Sequence, residues 1–508
     1  MERPYSGLTP VPDDFDAFWD ARMAEADAVA LEYGITPSEI PPYGTVDYLD
    51  LHFCGMGGAR LYAKYVKPRS AAPLPLVLQF HGYPGASRSW FEQSSFAGMG
   101  CALIALDNPG QGGKSQDVGG YRGTTVAGHL VAGLDGPLED MYYVRLYQNV
   151  RILCRIVREL DGIDLARVFV NGASQGGGMG IACCALNADL IAKASILYPF
   201  LSDFRQVFEL GADEIAYEGI RYYARWFDPD GARMDEWFGK LAYIDTVSFS
   251  HLVRCPVLFG TGTADAVCPP RTQDAVCNQL AGPVDRHLFE GYGHEEIARF
   301  DDMIPAFYGV NESVWEQVSL KGEDGADLNA RYVAPKGEGT HPLVLLFHDH
   351  GIAPRGWHHI TRYAALGYAV LELENRTENV GYAQGLADAR ALHAYAEARF
   401  QASIALLFGE GFGGSLALGL AAEVATERVA AINPLVCPEL LEAATAIAAP
   451  ALFAVCRMDE VSDPAEQDEL ALRIAPIKRI DYPKFGHERV NAFENALLSF
   501  MCPCNREE

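Results

Sequence analysis

Ser174 lies in Gly172-Ala173-Ser174-Gln175-Gly176, directly after an apolar run and directly before a stretch of small residues. A serine hydroxyl is a poor nucleophile near neutral pH. It attacks an acyl carbon only where an imidazole takes its proton and a carboxylate holds that imidazole in the right tautomer. The chain supplies both, in the order serine, acid, base. Asp265 closes Thr261-Gly262-Thr263-Ala264-Asp265 after an apolar run at 257–260, and His294 stands 29 residues further on in Tyr292-Gly293-His294-Glu295. That interval suits one helix and one strand. Taken singly, Ser174 could cap a helix, Asp265 could cap the next, and His294 could be a surface loop residue. Taken together and in this order, Ser174, Asp265 and His294 read as the catalytic triad of an acyl hydrolase. Glu295 reads as a structural or solvated carboxylate outside it. The tetrahedral intermediate of acyl transfer carries an oxyanion, and one fixed donor that receives it contributes about 3 to 4 kcal/mol. The expected donors are the backbone amides of Gln175, next to the nucleophile, and of Tyr83, in the loop after Phe80.

Such a serine must be held on a sharp strand-to-helix turn, where glycines allow strained backbone and close approach of neighbouring chain. The surrounding pattern predicts those elements. Strands are expected at 74–80, 101–106, 168–170, 194–198, 257–260 and 287–289, with helices at 138–158 and after Ser174. Parallel strands need a crossover to return, so this alternation predicts an α/β fold: a mostly parallel sheet with helices on both faces, the α/β-hydrolase arrangement, with its chemistry at the carboxyl ends of the strands. A further helix over 12–30 is expected from the spacing of Phe15, Phe18, Trp19 and Met23, and an aromatic-rich stretch at 201–250 reads as an inserted helical cap.

The pattern then recurs at domain scale. Residues 343–347 and His348 mirror 76–80 and His81, Gly367-Tyr368-Ala369-Val370-Leu371 mirrors Gly100-Cys101-Ala102-Leu103-Ile104, and Gly409-Glu410-Gly411-Phe412-Gly413 mirrors the serine motif. Gly411 takes the serine's place, while Asp459 and His487 match acid and base. The expected domains are therefore a catalytic one over 1–310, with its cap at 201–250, and a smaller degenerate one over 311–508 that lacks both nucleophile and cap. The second is expected to pack on the first, cover its entrance, replace an oligomer contact or bind a ligand in its relic site.

A chain of 508 residues fits two such units. With 67 acidic against 40 basic residues, a net charge of −27 opposes phosphate backbones and anionic lipid, so neither nucleic acid nor membrane is an expected partner. No apolar stretch of signal-peptide length opens the sequence and no run of 18 apolar residues interrupts it, so a soluble cytoplasmic protein is expected. The twelve cysteines are spread out and several, such as Cys183, Cys184, Cys255 and Cys456, sit in apolar runs, which fits reduced thiols. Cys502 and Cys504 lack the second Cys or His pair of a zinc site, so no metal and no cofactor are expected.

His81-Gly82-Tyr83, Gly110-Gln111-Gly112, the serine motif extended to Gly177, Cys268-Pro269-Pro270 and His294-Glu295 together resemble the acetyl xylan esterases and cephalosporin C deacetylases, carbohydrate esterase family seven, over roughly residues 10 to 308. The resemblance implies hydrolysis of small acyl esters, chiefly O-acetyl groups of xylo-oligosaccharides and the acetyl of cephalosporin C, by a cytoplasmic homo-oligomer, with Tyr83 and Gln175 as the oxyanion amides. Pro109 stands where that family usually carries an arginine, which puts local salt bridging and the usual assembly in doubt. The second lobe is an addition to the family's pattern. Two rivals stay open: a peptidase of the same fold, which would need a pocket for a peptide terminus and a gating segment, and a non-catalytic binding or scaffolding protein, the state assigned to the second lobe.

Overall fold

The computed structural model describes residues 4–40, 42–122, 128–310, 313–337, 339–351, 355–376, 380–487 and 490–502. Cys504, Met1 to Arg3 and position 311 lie outside them. Contacts divide the chain into two units, one comprising 1–39, 48–88 and 101–310, the other 40–47, 89–100 and 311–508.

In the first unit the apolar runs become strands: β1 Tyr33–Pro37, β2 Val46–Cys54, β3 Arg60–Pro68, β4 Leu74–Phe80, β5 Ala102–Leu106, β6 Ile163–Ala173, β7 Ile191–Leu197, β8 Val257–Gly262 and β9 Val284–Phe289. They form one sheet in the order β1-β2-β3-β5-β4-β6-β7-β8-β9. From β5 through β4 and β6 to β9 every pairing is parallel, whereas β1 with β2 and β3 with β5 are antiparallel. All five residues of β5 are buried, as expected of a strand covered by helices on both faces. The strand before the serine runs from 163 to 173 and not only over 168–170. Hydrophobicity ends at Asn171, but Asn171 accepts from Gln79 Nε2 at 3.0 Å and donates to Ser195 Oγ at 2.9 Å, so a polar rung continues the sheet across β4, β6 and β7.

The helix predicted over 12–30 spans Phe15–Ala28 and buries Phe15, Trp19, Met23 and Ala26, while Phe18 is half-buried. The helix predicted over 138–158 begins at Tyr142, because Met141 is extended (φ −63°, ψ 142°) and cuts off a preceding 3₁₀ turn, Leu138–Asp140. The stretch 201–250 is helical, with Phe204–Glu209, Glu218–Phe227, Met234–Leu241 and Thr246–Phe249 enclosing Tyr217, Tyr223, Trp237 and Phe238.

The second unit builds its own sheet from β10 Ser313–Lys321, β11 Asp327–Pro335, β12 Leu343–Phe347, β13 Ala369–Leu373, β14 Ile404–Glu410, β15 Val429–Ile432, β16 Ala451–Cys456 and β17 Ile477–Tyr482. Its order, β10-β11-β13-β12-β14-β15-β16-β17, repeats that of β2 to β9. Between β15 and β16 stand only the helix Pro438–Ala443 and a 3₁₀ turn, in place of the cap.

Candidate active site

Ser174 follows β6 directly and opens the helix Gln175–Leu186 with φ 57° and ψ −123°. A residue with a Cβ is held there at a cost of about 1 to 3 kcal/mol, so the surroundings must over-determine the turn. They do. A Cβ on Gly172 would lie 2.2 Å from the Gly176 carbonyl oxygen, and one on Gly176 would lie 2.0 Å from that of Phe80 at the end of β4. Only glycine lets strand, turn and helix pass this closely. The Ser174 amide donates to Leu197 O at 3.1 Å, and its carbonyl accepts from Gly178 and Phe200 at 3.0 and 2.9 Å.

Asp265 follows β8. Its Oδ1 accepts from the amides of Val267 (2.9 Å) and Cys268 (2.8 Å), which leaves Oδ2 for His294 Nδ1 at 2.9 Å. An ionised carboxylate only accepts, so Nδ1 carries the ring proton and Nε2 is left with its lone pair. Nε2 lies 3.0 Å from Ser174 Oγ, which donates to it. The loop carrying His294 comes close enough that a Cβ on Gly262 would sit 2.6 Å from Tyr292 O. The Tyr198 ring packs 4.5 Å from the imidazole, and its hydroxyl donates to Glu295 O at 2.8 Å. Glu295 Oε1 accepts from Gly293 N at 3.0 Å, a local loop contact outside the hydrogen-bonded chain. Asp265 and Ser174 are buried, and the His294 side chain is 21% exposed, so the site meets solvent through its imidazole.

Gln175 and Tyr83 flank this chain. The Gln175 amide is one of the first four of a twelve-residue helix, which have no intrahelical acceptor and lie at the positive end of its dipole. Its side chain is wholly buried in a reciprocal amide pair with Gln111, both Nε2 to Oε1 distances being 2.8 Å, and its Oε1 also accepts from Tyr143 at 2.7 Å. Gln111 also donates to Tyr142, which donates in turn to Pro109 O at 2.7 Å. Pro109, where the resembled family carries arginine, thus contributes a backbone acceptor. The loop of Tyr83 is ordered by His81. Asn108 N donates to its Nε2 at 3.0 Å, so Nδ1 must be protonated and donates to Gly82 O at 2.8 Å. Burial holds this imidazole below its usual pKa, in keeping with a neutral ring. A Cβ on Gly82 would lie 3.9 Å from that of Ser174, so the loop runs beside this serine. The Tyr83 ring stacks at 6.1 Å on Phe200, and its hydroxyl accepts from His129 N at 3.3 Å.

Three further residues had gone unassigned. Cys268 is fully buried, its thiol pushed up by burial, and its amide holds Asp265. Tyr198 and Tyr143 brace His294 and Gln175. Cys268 was legible as part of Cys-Pro-Pro, but no local pattern announces the two tyrosines. In the second unit Asp459 and His487 also meet, Oδ2 to Nδ1 at 2.7 Å, behind a glycine at 411.

The sequence profile described as acetyl xylan esterase (AXE1) matches residues 2–312, and again 308–396. The chain belongs to the acetyl xylan esterase family. All three members of the hydrogen-bonded chain lie within the first match, and the second stops short of Gly411. The chain is 37% identical to acetyl xylan esterase 1 from Thermoanaerobacterium sp. JW/SL YS485, whose crystal structure superposes with a TM-score of 0.59 over 60% of this chain and 95% of that one. The acetyl xylan esterase from Paenibacillus sp. R4 is 28% identical, with a TM-score of 0.58 over 60% and 96%. These likenesses establish the α/β-hydrolase fold. Acetyl esterase Axe7A of Xylanibacter ruminicola is 28% identical over 298 residues, 55% of this chain and 62% of that protein, so the match spans less than two thirds of this relative. Among the described residues no helix is long and apolar enough to cross a membrane.

Proposed function

We propose that the first unit, broadly residues 1–310, is a carboxylic ester hydrolase that removes small acyl groups, chiefly O-acetyl, through an acyl-enzyme at Ser174. The observation that carries the reading is the unbroken chain from Ser174 Oγ through His294 to Asp265 at 3.0 and 2.9 Å, in a member of the acetyl xylan esterase family. Ser174 Oγ attacks the acetyl carbon as its proton passes to His294 Nε2, and Asp265 stabilises the imidazolium. The oxyanion is received by the amides of Gln175 and Tyr83. His294 then protonates the departing sugar oxygen, and the acetyl remains on Ser174. Water, deprotonated by the same nitrogen, releases acetate.

Acetylated xylo-oligosaccharides are the proposed substrates, with small esters such as cephalosporin C in the same class. A cavity of about 800 Å³ supports a sugar, since Tyr83, Tyr121 and His129 offer rings and Asp117 and Glu218 offer acceptors for hydroxyl groups. The same reading makes the protein a cytoplasmic homo-oligomer, checked by fractionation and sedimentation velocity. The second unit takes no part in acyl transfer because Gly411 has no hydroxyl. Turnover of p-nitrophenyl acetate and acetylated xylo-oligosaccharides tests the mechanism. Ser174→Ala should lower it at least about 10³-fold, and unchanged turnover would overturn the assignment. Failure on every acetyl ester would remove the substrate class but leave the fold.

A further inference from the structure

The second unit keeps the elbow and the acid–base pair of the first but not the hydroxyl. Gly411 has φ 54° and ψ −124° against 57° and −123° at Ser174. A Cβ on Gly413 would lie 2.3 Å from Phe347 O, as one on Gly176 would press on Phe80 O. Asp459 Oδ1 accepts from the amides of Val461 (2.8 Å) and Ser462 (2.9 Å), the counterparts of Val267 and Cys268, and its Oδ2 holds His487 Nδ1.

The place of the missing hydroxyl is taken by Asp349, which corresponds in sequence to Gly82. Its Oδ2 lies 2.7 Å from His487 Nε2. Its Oδ1 accepts from the amide of Phe412 at 2.8 Å and from that of His350 at 2.9 Å. Phe412 corresponds to Gln175 and His350 to Tyr83, so one carboxylate engages the counterparts of both proposed oxyanion amides and of the general base. A Cβ on Gly411 would fall 2.3 Å from Asp349 Cγ, which shows that the carboxylate fills the nucleophile's own space. These are the contacts that a carboxylic acid product would make on leaving such a site: one oxygen on two backbone donors, the other on an imidazolium. Two carboxylates face the ring. Burial opposes its charging, but the bonds to Asp459 and Asp349 outweigh it and raise the His487 pKa. Glu410, just before the elbow, is engaged by Arg355 at 3.2 Å.

We propose that Asp349 is a built-in product mimic that keeps the relic site of the second unit closed, and that its three partners, the amides of Phe412 and His350 and the imidazole of His487, form a site for a small monocarboxylate such as acetate that the chain's own side chain fills. The contacts are those of the second unit itself, so the inference does not depend on catalysis at Ser174.

The test uses the full chain with Asp349→Gly, which gives the loop the residue found at position 82. Sodium acetate is titrated against sodium chloride at constant ionic strength, with thermal unfolding and calorimetry as readouts. The variant should bind one more acetate per chain than the parent and show a saturable acetate-dependent rise in Tm, and adding His487→Gln should abolish both. An acetate response equal to the parent's, or one indifferent to His487→Gln, would overturn the proposal. Should Asp349→Gly not fold, Asp349→Asn retains an acceptor for the two amides but removes the charge at the imidazole. The NMR titration midpoint of His487, assigned by its loss in His487→Gln, should then fall below the parent's, and an unmoved midpoint would equally overturn it. Turnover at Ser174 is read separately with p-nitrophenyl acetate, so failure of the esterase reading is distinguishable.

Discussion

Replacing Asp265 by asparagine changes one atom and should remove nearly all activity, for a reason set by two backbone amides. Val267 and Cys268 both donate to Oδ1, at 2.9 and 2.8 Å, in a buried position. An asparagine that turned its NH₂ toward them would leave a buried and a half-buried donor unmet, at about 1 to 3 kcal/mol for the buried one. The amides therefore hold the side-chain oxygen on their own side and aim the NH₂ at His294 Nδ1. A nitrogen that faces a donor must accept, so the ring proton moves to Nε2, which then cannot take the proton of Ser174. A loss of about 10⁴-fold in kcat is expected, or about 5 kcal/mol of transition-state stabilisation at 1.36 kcal/mol per decade. The assay is steady-state hydrolysis of p-nitrophenyl acetate, with a thermal melt confirming that the variant is folded. Because both amides keep their acceptor, Tm should lie near that of the parent. A folded Asp265→Asn protein with more than about a tenth of parental kcat would refute the tautomer argument.

Gln111→Ala removes both 2.8 Å bonds of the reciprocal pair, costing about 1 to 3 kcal/mol in denaturant unfolding. Because it loosens the helix start that carries the Gln175 amide, kcat should fall more than KM rises, and a variant with normal kcat would show that the pair is merely structural. Gly176→Ala places a Cβ 2.0 Å from a backbone carbonyl that cannot yield without moving β4, and about 3 kcal/mol or more of stability should be lost. A native denaturation midpoint would contradict it. The raised His487 pKa fixes a pH dependence. The folded state holds the proton more tightly than the unfolded chain, whose value is about 6.5. Its contribution is thus fully present below that pH and is lost as pH climbs through the higher folded value. The Tm gap between parent and His487→Gln should shrink from acid to alkaline pH, and a gap that widened would reverse the assignment.

What was legible in the sequence was short-range. Leu74–Phe80 appears as predicted because an apolar run without alternation is buried on both faces wherever it lies. The elbow was legible because its glycines answer clashes within a few residues of Ser174. The helix over 138–158 began late because Met141 is extended, a choice no periodicity records. The strand through Asn171 was cut short because its polar rung depends on Gln79 and Ser195, far away in sequence.

By itself, then, the sequence determined the order of Ser174, Asp265 and His294 along the chain, the strand and helix types, and the duplication, all of which follow from local sterics and hydrophobic pattern. Tertiary structure alone decided which buried and half-buried polar groups meet: Gln111 with Gln175 across 64 residues, and Asp349 with Phe412 across 63 and with His487 across 138. A buried carboxylate or amide must find partners or lose several kcal/mol, but many distant residues could satisfy that demand. Only the path of the chain selects among them, which is why a lone Asp349 in a loop gave no sign that it fills the space a side chain at position 411 would take.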